Sequence, residues 1–561
     1  MHLKSYSLIS FCVLLLFSCD NTDKPSLISY DGFLVKSANL THRELKNWYR
    51  YDIEIDTIPG ISLERAFNEI LKNKEGEEIV VAIIDGKVDI EHSQIKSNLW
   101  KNDKDHHNNG IDDDKNGYID DKNGWNFLGG VKNRNSIYVN YEVIRIIRYY
   151  KNQFDGFTIH EIDTAQIEKF KLYQNAIKNV DSLVKRANLT ISLGEPLIEN
   201  YRDALDSLAP YIEESDITLE KLDSILEKHS NLKVYIELAS RVKKFNLTLD
   251  GLKDDVLRAE NTIEIYLNPD FDGRRVTNDN PYDINDIGYG NNDIYSDHEQ
   301  LYHGTLVAGM LLTNGDKEIG LQGGNQNIKI MPLCISSNGD EHDKDIALAI
   351  RYAVDNGAKI INMSISKEWT LFPNWVDDAI KYAEKKDVLI ITSAGNNNFN
   401  LNFDSYPNYP NYPNDTDSNG NEFASNFIKV GGSDYYLNEN IKYSSTNYGD
   451  FNVDLFAPGD HIFTTSPRED DGFETTNGTS FSAPLVAGIA ALIWSHYPNL
   501  TAKDVKQIIM ESGVEYDIMV NVPTPEDPDR QLPFNQLSKS GKIVNAYNAL
   551  LMAADIAKAK K

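Results

Sequence analysis

The sequence predicts an α/β fold: a parallel sheet with helices on both faces, interrupted by a helical insertion. Three observations carry this. Runs such as Ile79-Val80-Val81-Ala82-Ile83-Ile84 are continuous and rich in β-branched residues. They lack the alternation of a half-solvated strand and fit strands buried on both faces. These runs alternate with helical patterns, as right-handed βαβ units require. From about 138 to 267 glycine thins out and the apolar spacing becomes three and four, the texture of packed helices.

Taken in order, residues 1–18 read as a signal peptide. Lys4 precedes an apolar run from Leu8 to Phe17, too short to span a bilayer but suited to a signal core. Leu16-Phe17-Ser18-Cys19 resembles the bacterial lipobox, in which the cysteine carries lipid. An ordinary cleaved signal is the alternative. The lipobox reading implies an exported chain, lipid-anchored in a bacterial membrane, periplasmic or at the cell surface. Residues 19–45 are expected to form a tether. Cys334 then stands alone, so no intramolecular disulfide is available, and its apolar surroundings mark it as a core thiol.

Residues 46–137 are expected to begin the main domain. Leu63 to Leu71 reads as a short helix, and Ile79 to Ile84 as a strand that ends at Asp85. Functional groups of open α/β sheets gather beyond the carboxyl ends of strands, so Asp85 is well placed. Within the acidic loop from Asn102 to Asn123, the pattern starting at Asp112 follows the opening of a calcium loop. It offers Asp112, Asp114, Asn116, Tyr118, Asp120 and Asp121 around Gly117. Hard cations favour several oxygens at alternating positions. Asn123 stands where an EF-hand has glutamate, so the loop is not a full EF-hand. Asp105-x-His107-x-Asn109-Gly110 is a weaker echo upstream. Structural calcium is expected here, with a solvated acidic turn as the alternative.

The insertion, 138–267, shows a seam of Phe170, Tyr173, Ile177, Val180, Val184 and Ala187, then further helices near Leu219 and Val234. It carries no catalytic constellation and is expected to be a packed arm. The main domain resumes over 268–561. A helix is expected to open near Leu301, with His303 at its start. Strands follow at Ile328–Ile335, Lys359–Ser364, Val388–Ser393, Phe427–Val430 and Val453–Phe456. Helices are expected at Lys344–Asn356, stopped by Gly357, and at Trp375–Lys386, Thr501–Ser512 and Lys542–Ala553. Leu485 to Trp494 is apolar on every face, the mark of a buried helix, with Pro484 expected in its first turn.

With 56 Lys and Arg against 85 Asp and Glu, the net charge is −29. That balance argues against nucleic acid as a partner. It suits an exported protein or one that collects cations.

Chemistry points to four residues at element ends. Ser480 sits at the mouth of the buried helix, where free N–H groups and the helix dipole favour a developing oxyanion. It could equally be a simple helix cap. His303 and Asp85 supply an imidazole and a carboxylate. Asn396, after a strand, offers an amide N–H₂.

Together these residues resemble the subtilisin-like serine peptidases. Val80-Val81-Ala82-Ile83-Ile84-Asp85, His303-Gly304-Thr305-x-x-Ala308-Gly309 and Gly478-Thr479-Ser480-x-x-Ala483-Pro484 are similar to that family's three motifs, and Ala394-Gly395-Asn396 to its oxyanion element. The resemblance covers about 46–135 and 270–555. It implies that Ser480 attacks the scissile carbonyl, His303 moves the proton, Asp85 fixes the imidazole, and Asn396 holds the oxyanion with the Ser480 N–H. It implies protein or peptide substrates, added as an extra strand along Lys359 to Ser366. Two features depart from the family. Gly86-Lys87 follows the aspartate where Ser or Thr, then Gly, is usual, which places an ammonium near the triad. Cys19 and Ile79 are 60 positions apart, which leaves no room for the usual folding propeptide. Two other classes stay open: an inactive lipoprotein that binds peptides or partners through the cleft, and a structural calcium-binding surface protein. The insertion, set between Asp85 and His303, is expected to project near the catalytic rim and govern access or dock a protein partner.

Overall fold

The computed structural model describes residues 27–30, 32, 40–106, 109–131, 134–296, 298–312, 327–402, 412–417, 421–468 and 472–560. The expected signal peptide, Cys19 and His107 lie outside them. A nine-stranded sheet forms the centre. In chain order its strands are β1 (Ile79–Asp85), β2 (Trp125–Asn126), β3 (Ile328–Cys334), β4 (Ile360–Met363), β5 (Leu389–Ser393), β6 (Phe427–Ser433), β7 (Leu455–Pro458), β10 (Val514–Glu515) and β13 (Lys542–Ile543). Small antiparallel pairs are formed by β8 (Ile462–Thr465) with β9 (Phe473–Thr476), and by β11 (Met519–Asn521) with β12 (Gln531–Pro533). The spatial order in the large sheet is β10-β13-β7-β6-β5-β4-β1-β3-β2. Every pairing in it is parallel except β10 with β13.

The helices are α1 (His42–Asn47), α2 (Leu63–Arg65, continued by a π-turn over Ala66–Ile70), α3 (Glu142–Phe154), α4 (Ile167–Leu208), α5 (Leu219–Lys228), α6 (Lys233–Lys244), α7 (Leu249–Asn261), α8 (His298–Leu312), α9 (Asp343–Asp355), α10 (Pro373–Lys385), α11 (Thr479–His496), α12 (Ala502–Ser512) and α13 (Ala546–Ala559). Each sheet face has its own core. One packs Val81, Ile83 and Ile391 against α8, α11, α12 and α13. The other packs Ala82, Ile84 and Ile361 against α9 and α10. This two-faced burial explains the continuous apolar runs. α11 is apolar enough to cross a membrane, but 89% of it is buried inside the protein, so it is the core helix.

Pro484 is the sixth residue of α11, not a first-turn residue as expected. A proline there cannot donate to the carbonyl four residues back. That carbonyl belongs to Ser480, and it accepts instead from Ser364 Oγ at 2.7 Å. The break in the helix ladder thus ties the Ser480 segment to the residue that follows β4.

The final helix starts at Ala546, because Lys542–Ile543 forms β13 and Asn545 caps the helix by accepting from Asn548 N–H. The described part of the segment expected as a tether is packed on the body: the Ile28 N–H donates to Asn548 Oδ1 at 2.7 Å, the Tyr30 ring lies 5.4 Å from the Tyr516 ring, and α1 starts at His42.

The insertion is mostly helical, and α4 alone runs 42 residues. Two apolar cores hold it. The proximal core joins Val143, Phe154, Phe170 and Tyr173 to Trp369 and Leu371 of the main body. The distal core joins Tyr201, Leu208, Leu222, Ile236, Val242 and Leu252, all from α4 to α7.

Candidate active site

Asp85 is the last residue of β1 and is fully buried. Its Oδ1 accepts from the Gly86 N–H at 2.6 Å and faces His303 Nδ1 at 2.7 Å. A carboxylate there holds the proton on Nδ1 and leaves Nε2 free as a base. His303 lies in the second turn of α8, not at its start. The helix reaches that depth because residue 304 is glycine: a Cβ there would sit 2.5 Å from the Lys87 carbonyl oxygen. Burial pulls the His303 pKa down, but the adjacent Asp85 carboxylate more than offsets this and holds it above the usual histidine value.

Ser480 is the second residue of α11, where backbone N–H groups have no intrahelical acceptor. Phe481, next in sequence, packs its ring 5.9 Å from the His303 ring. The Ser480 hydroxyl donates to the Ser364 carbonyl at 3.3 Å; among the described residues no hydrogen bond joins it to His303. Asn396 is oriented by Thr479. Its Oδ1 accepts from the Thr479 N–H at 2.9 Å and from Thr479 Oγ1 at 3.1 Å. With its oxygen so engaged, the side chain keeps its N–H₂ as the free donor.

Asp85, His303, Ser480 and Asn396 line one cleft of about 460 Å³, with Ser364, Ile365 and Ser366 along it. β4 itself cannot accept a substrate strand, since β1 and β5 pair with it on both sides. The expected docking strand is therefore shortened from 359–366 to 364–366, where the chain has left the sheet. The expectation of an ammonium beside the triad is also corrected. Lys87 is fully buried, and its Nζ pairs with Asp293 at 2.9 Å and the Ser296 carbonyl at 2.8 Å. Cys334 is buried, and burial pushes its thiol up to about 12, which keeps it inert.

The acidic loop lies apart from the cleft. Asp105, Asp112 and Asp114 place one carboxylate oxygen each within 4.8 Å of one another. Both Asp105 oxygens are buried without a hydrogen-bond partner, and burial beside Asp121 pushes its carboxyl up. An orphaned buried carboxylate in an all-oxygen set fits a hard cation. The set differs from the expected one. Asp105 joins it, while Asp120 accepts from the Asn109 and Gly110 N–H groups. Asn116 donates from its amide to Asp121, and the Tyr118 ring packs against Trp125 and Tyr352. Asp121 also accepts from the Tyr352 hydroxyl at 2.6 Å.

A carboxylate, an imidazole, a helix-mouth serine and an amide donor on one cleft of a parallel sheet define a site suited to acyl transfer. The subtilase family model matches residues 76–536, and the chain belongs to that family. A thermophilic serine proteinase of Bacillus sp. (strain AK1) is 32% identical over 237 residues, covering 42% of this chain and 50% of that one. A subtilisin of Bacillus sp. (strain TA39) is 33% identical over 230 residues, covering 39% and 52%. The chain thus spans about half the length of these curated relatives. A solved lanthipeptide protease is 24% identical at a TM-score of 0.34, covering 45% of this chain and 76% of its own.

Proposed function

We propose that the chain is a serine endopeptidase acting on proteins or peptides. The observation that carries this is the 2.7 Å Asp85–His303 contact on the cleft that also holds Ser480 and Asn396. Substrate lies along 364–366. Ser480 Oγ turns from the Ser364 carbonyl to His303 Nε2, gives up its proton and attacks the scissile carbonyl. The oxyanion is held by the Ser480 N–H and the Asn396 amide, donors fixed before reaction. His303 then protonates the leaving amine. Asp85 stabilises the imidazolium throughout, and water releases the acyl group by the same steps reversed.

The test is labelling by a serine-directed phosphonate together with peptide hydrolysis. Wild type is expected to label at Ser480. Ser480→Ala is expected to lose about 10⁶ in rate, the size of loss that follows removal of the nucleophile in subtilisin. Casein cleavage by Ser480→Ala within about tenfold of wild type would overturn the assignment and leave the cleft as a binding surface.

Calcium is the ion proposed for the acidic loop, held by Asp105, Asp112 and Asp114; its role is structural, since the loop is not part of the cleft. The lipobox supports an exported, lipid-anchored protein, with Cys19 as the lipidated residue. Cys19→Ser material that still partitions with membranes would refute the anchor.

A further inference from the structure

One stretch of the cleft wall, near His303, is not used by the reaction above. Gln300, Ser336, Ser337, Asn338 and Glu341 line it. Glu341 is the one carboxylate of the lining besides Asp85, and Asp85 is committed to His303. The Glu341 carboxylate accepts from Ser336 Oγ at 2.7 Å. Among the described residues it forms no ion pair. Two neighbouring cations are engaged elsewhere: Lys367 directs its Nζ to the Glu341 backbone carbonyl at 2.9 Å and pairs with Asp343 at 2.6 Å and Glu142 at 3.6 Å, and Arg145 is held by Glu142. Two further acceptors in the lining, Gln300 Oε1 and Ser337 Oγ, are buried without hydrogen-bond partners. Buried polar atoms are normally satisfied, so unsatisfied acceptors beside an unpaired carboxylate call for a donor-rich cation.

Glu341 also lies close to the proposed path of a bound peptide. Lys367 continues the 364–366 segment, and its ammonium touches the Glu341 backbone, so the two segments meet beside the cleft. A chain laid along 364–366 passes next to Glu341. The wall bearing Glu341 is backed by the root of the arm, where Tyr138 bridges to Asn338 and Arg145 donates to the Glu341 carbonyl at 2.8 Å.

We propose that Gln300, Ser337 and Glu341 form a subsite for a lysine or arginine side chain on the acyl side of the scissile bond. The proposal rests on the peptidase reading. Lysine brings three donors and arginine five, enough to satisfy all three acceptors while neutralising Glu341. An apolar side chain would cover Glu341 and leave it desolvated and unpaired.

The test uses internally quenched peptides with a fixed residue at the scissile bond. Lysine, arginine, norleucine and glutamate are placed in turn at the second, third and fourth acyl-side positions. Wild type is expected to prefer lysine or arginine over norleucine by about tenfold in kcat/KM at one position. Glu341→Gln should bring that ratio close to one, Glu341→Asp should restore part of it, and Glu341→Arg should shift it towards glutamate. Ratios within one variant cancel any general loss of activity. A wild-type ratio near one at all three positions, or a ratio kept by Glu341→Gln, overturns the subsite. Wild type that neither cleaves any peptide nor labels with the phosphonate overturns the peptidase reading itself, and the subsite with it.

Discussion

The sheet body and the arm bury apolar surface in different ways. In the body, two cores press on opposite faces of one sheet; Asp85 and Ser480 sit where an element of that sandwich ends or begins, and His303 sits one turn inside α8. In the arm, two cores follow each other along α4. The first is shared with the cleft wall through Trp369 and Leu371; the second is closed among the arm's own helices. The arm is therefore not one unit. Its root belongs to the cleft, and its tip to itself. A groove of about 400 Å³ shows the root's involvement: Asn179, Leu183 and Arg186 of α4 face Ser366 and Asn397, which also line the catalytic cleft.

The largest expected effect tests the root. Glu142 is buried with Arg145 at 2.6 Å, and its Oε1 accepts from the Leu371 N–H at 3.0 Å. Lys367 stands 3.6 Å away. Removing one member of a buried pair leaves an uncompensated charge, at a cost of about 3–5 kcal/mol. Glu142→Ala should lose that much in urea unfolding, whereas Glu168→Ala, from an exposed helical pair with Lys171, should change stability by less than about 1 kcal/mol. If the two variants unfold alike, the root is not joined to the body as described.

A smaller effect is expected from the acidic loop, which belongs to the body alone. Calcium bound to the folded state at about 100 times its Kd adds about 2.7 kcal/mol. Chelation should lower the melting temperature, and Asp105→Asn should remove the response. A melting temperature blind to both calcium and Asp105→Asn would reduce the loop to a turn.

The sheet is legible in the sequence because burial on both faces writes continuous apolar runs: β1, β3, β5 and β6 fall where those runs lie. What escapes has physical reasons. β2, β10 and β13 are two residues long, too short to make a pattern. The run Ile360–Ile365 hides the point where β4 leaves the sheet, so the expected docking segment reads longer than the stretch the sheet leaves free. His303 reads as a helix start because the polar residues before it carry no apolar period. Asp105 is visible only as an echo, since its importance lies in being buried without a partner. Glu341 leaves no signal at all: a single glutamate says nothing until the fold sets it on the cleft. In the arm, helical spacing announces the helices but not which seam faces the body, because both cores use the same residue types.

The smallest expected effect is the most informative about the tip. Cutting the whole of 138–267 would remove Glu142 and Arg145 and would strip Trp369 and Leu371 of their neighbours, so loss of activity would say little about the arm. A better boundary lies where α4 and α7 already touch. A Cβ on Gly194 would fall 2.4 Å from Val256 Cγ2, so a short Gly/Ser linker can replace 195–255 without pulling the helices apart. This cut removes the distal core and keeps Phe170 and Tyr173 in the proximal core and Leu183 and Arg186 on the groove beside the cleft. Small-peptide kcat/KM is expected to stay within about threefold, because no group of the site depends on the distal core. Glu142→Ala in that shortened background should cost the same as in the full chain, since the two sites share no partner. A soluble, folded shortened protein that cleaves small peptides more than about tenfold slower would show that the tip supports the cleft, and the division of the arm into two halves would fail.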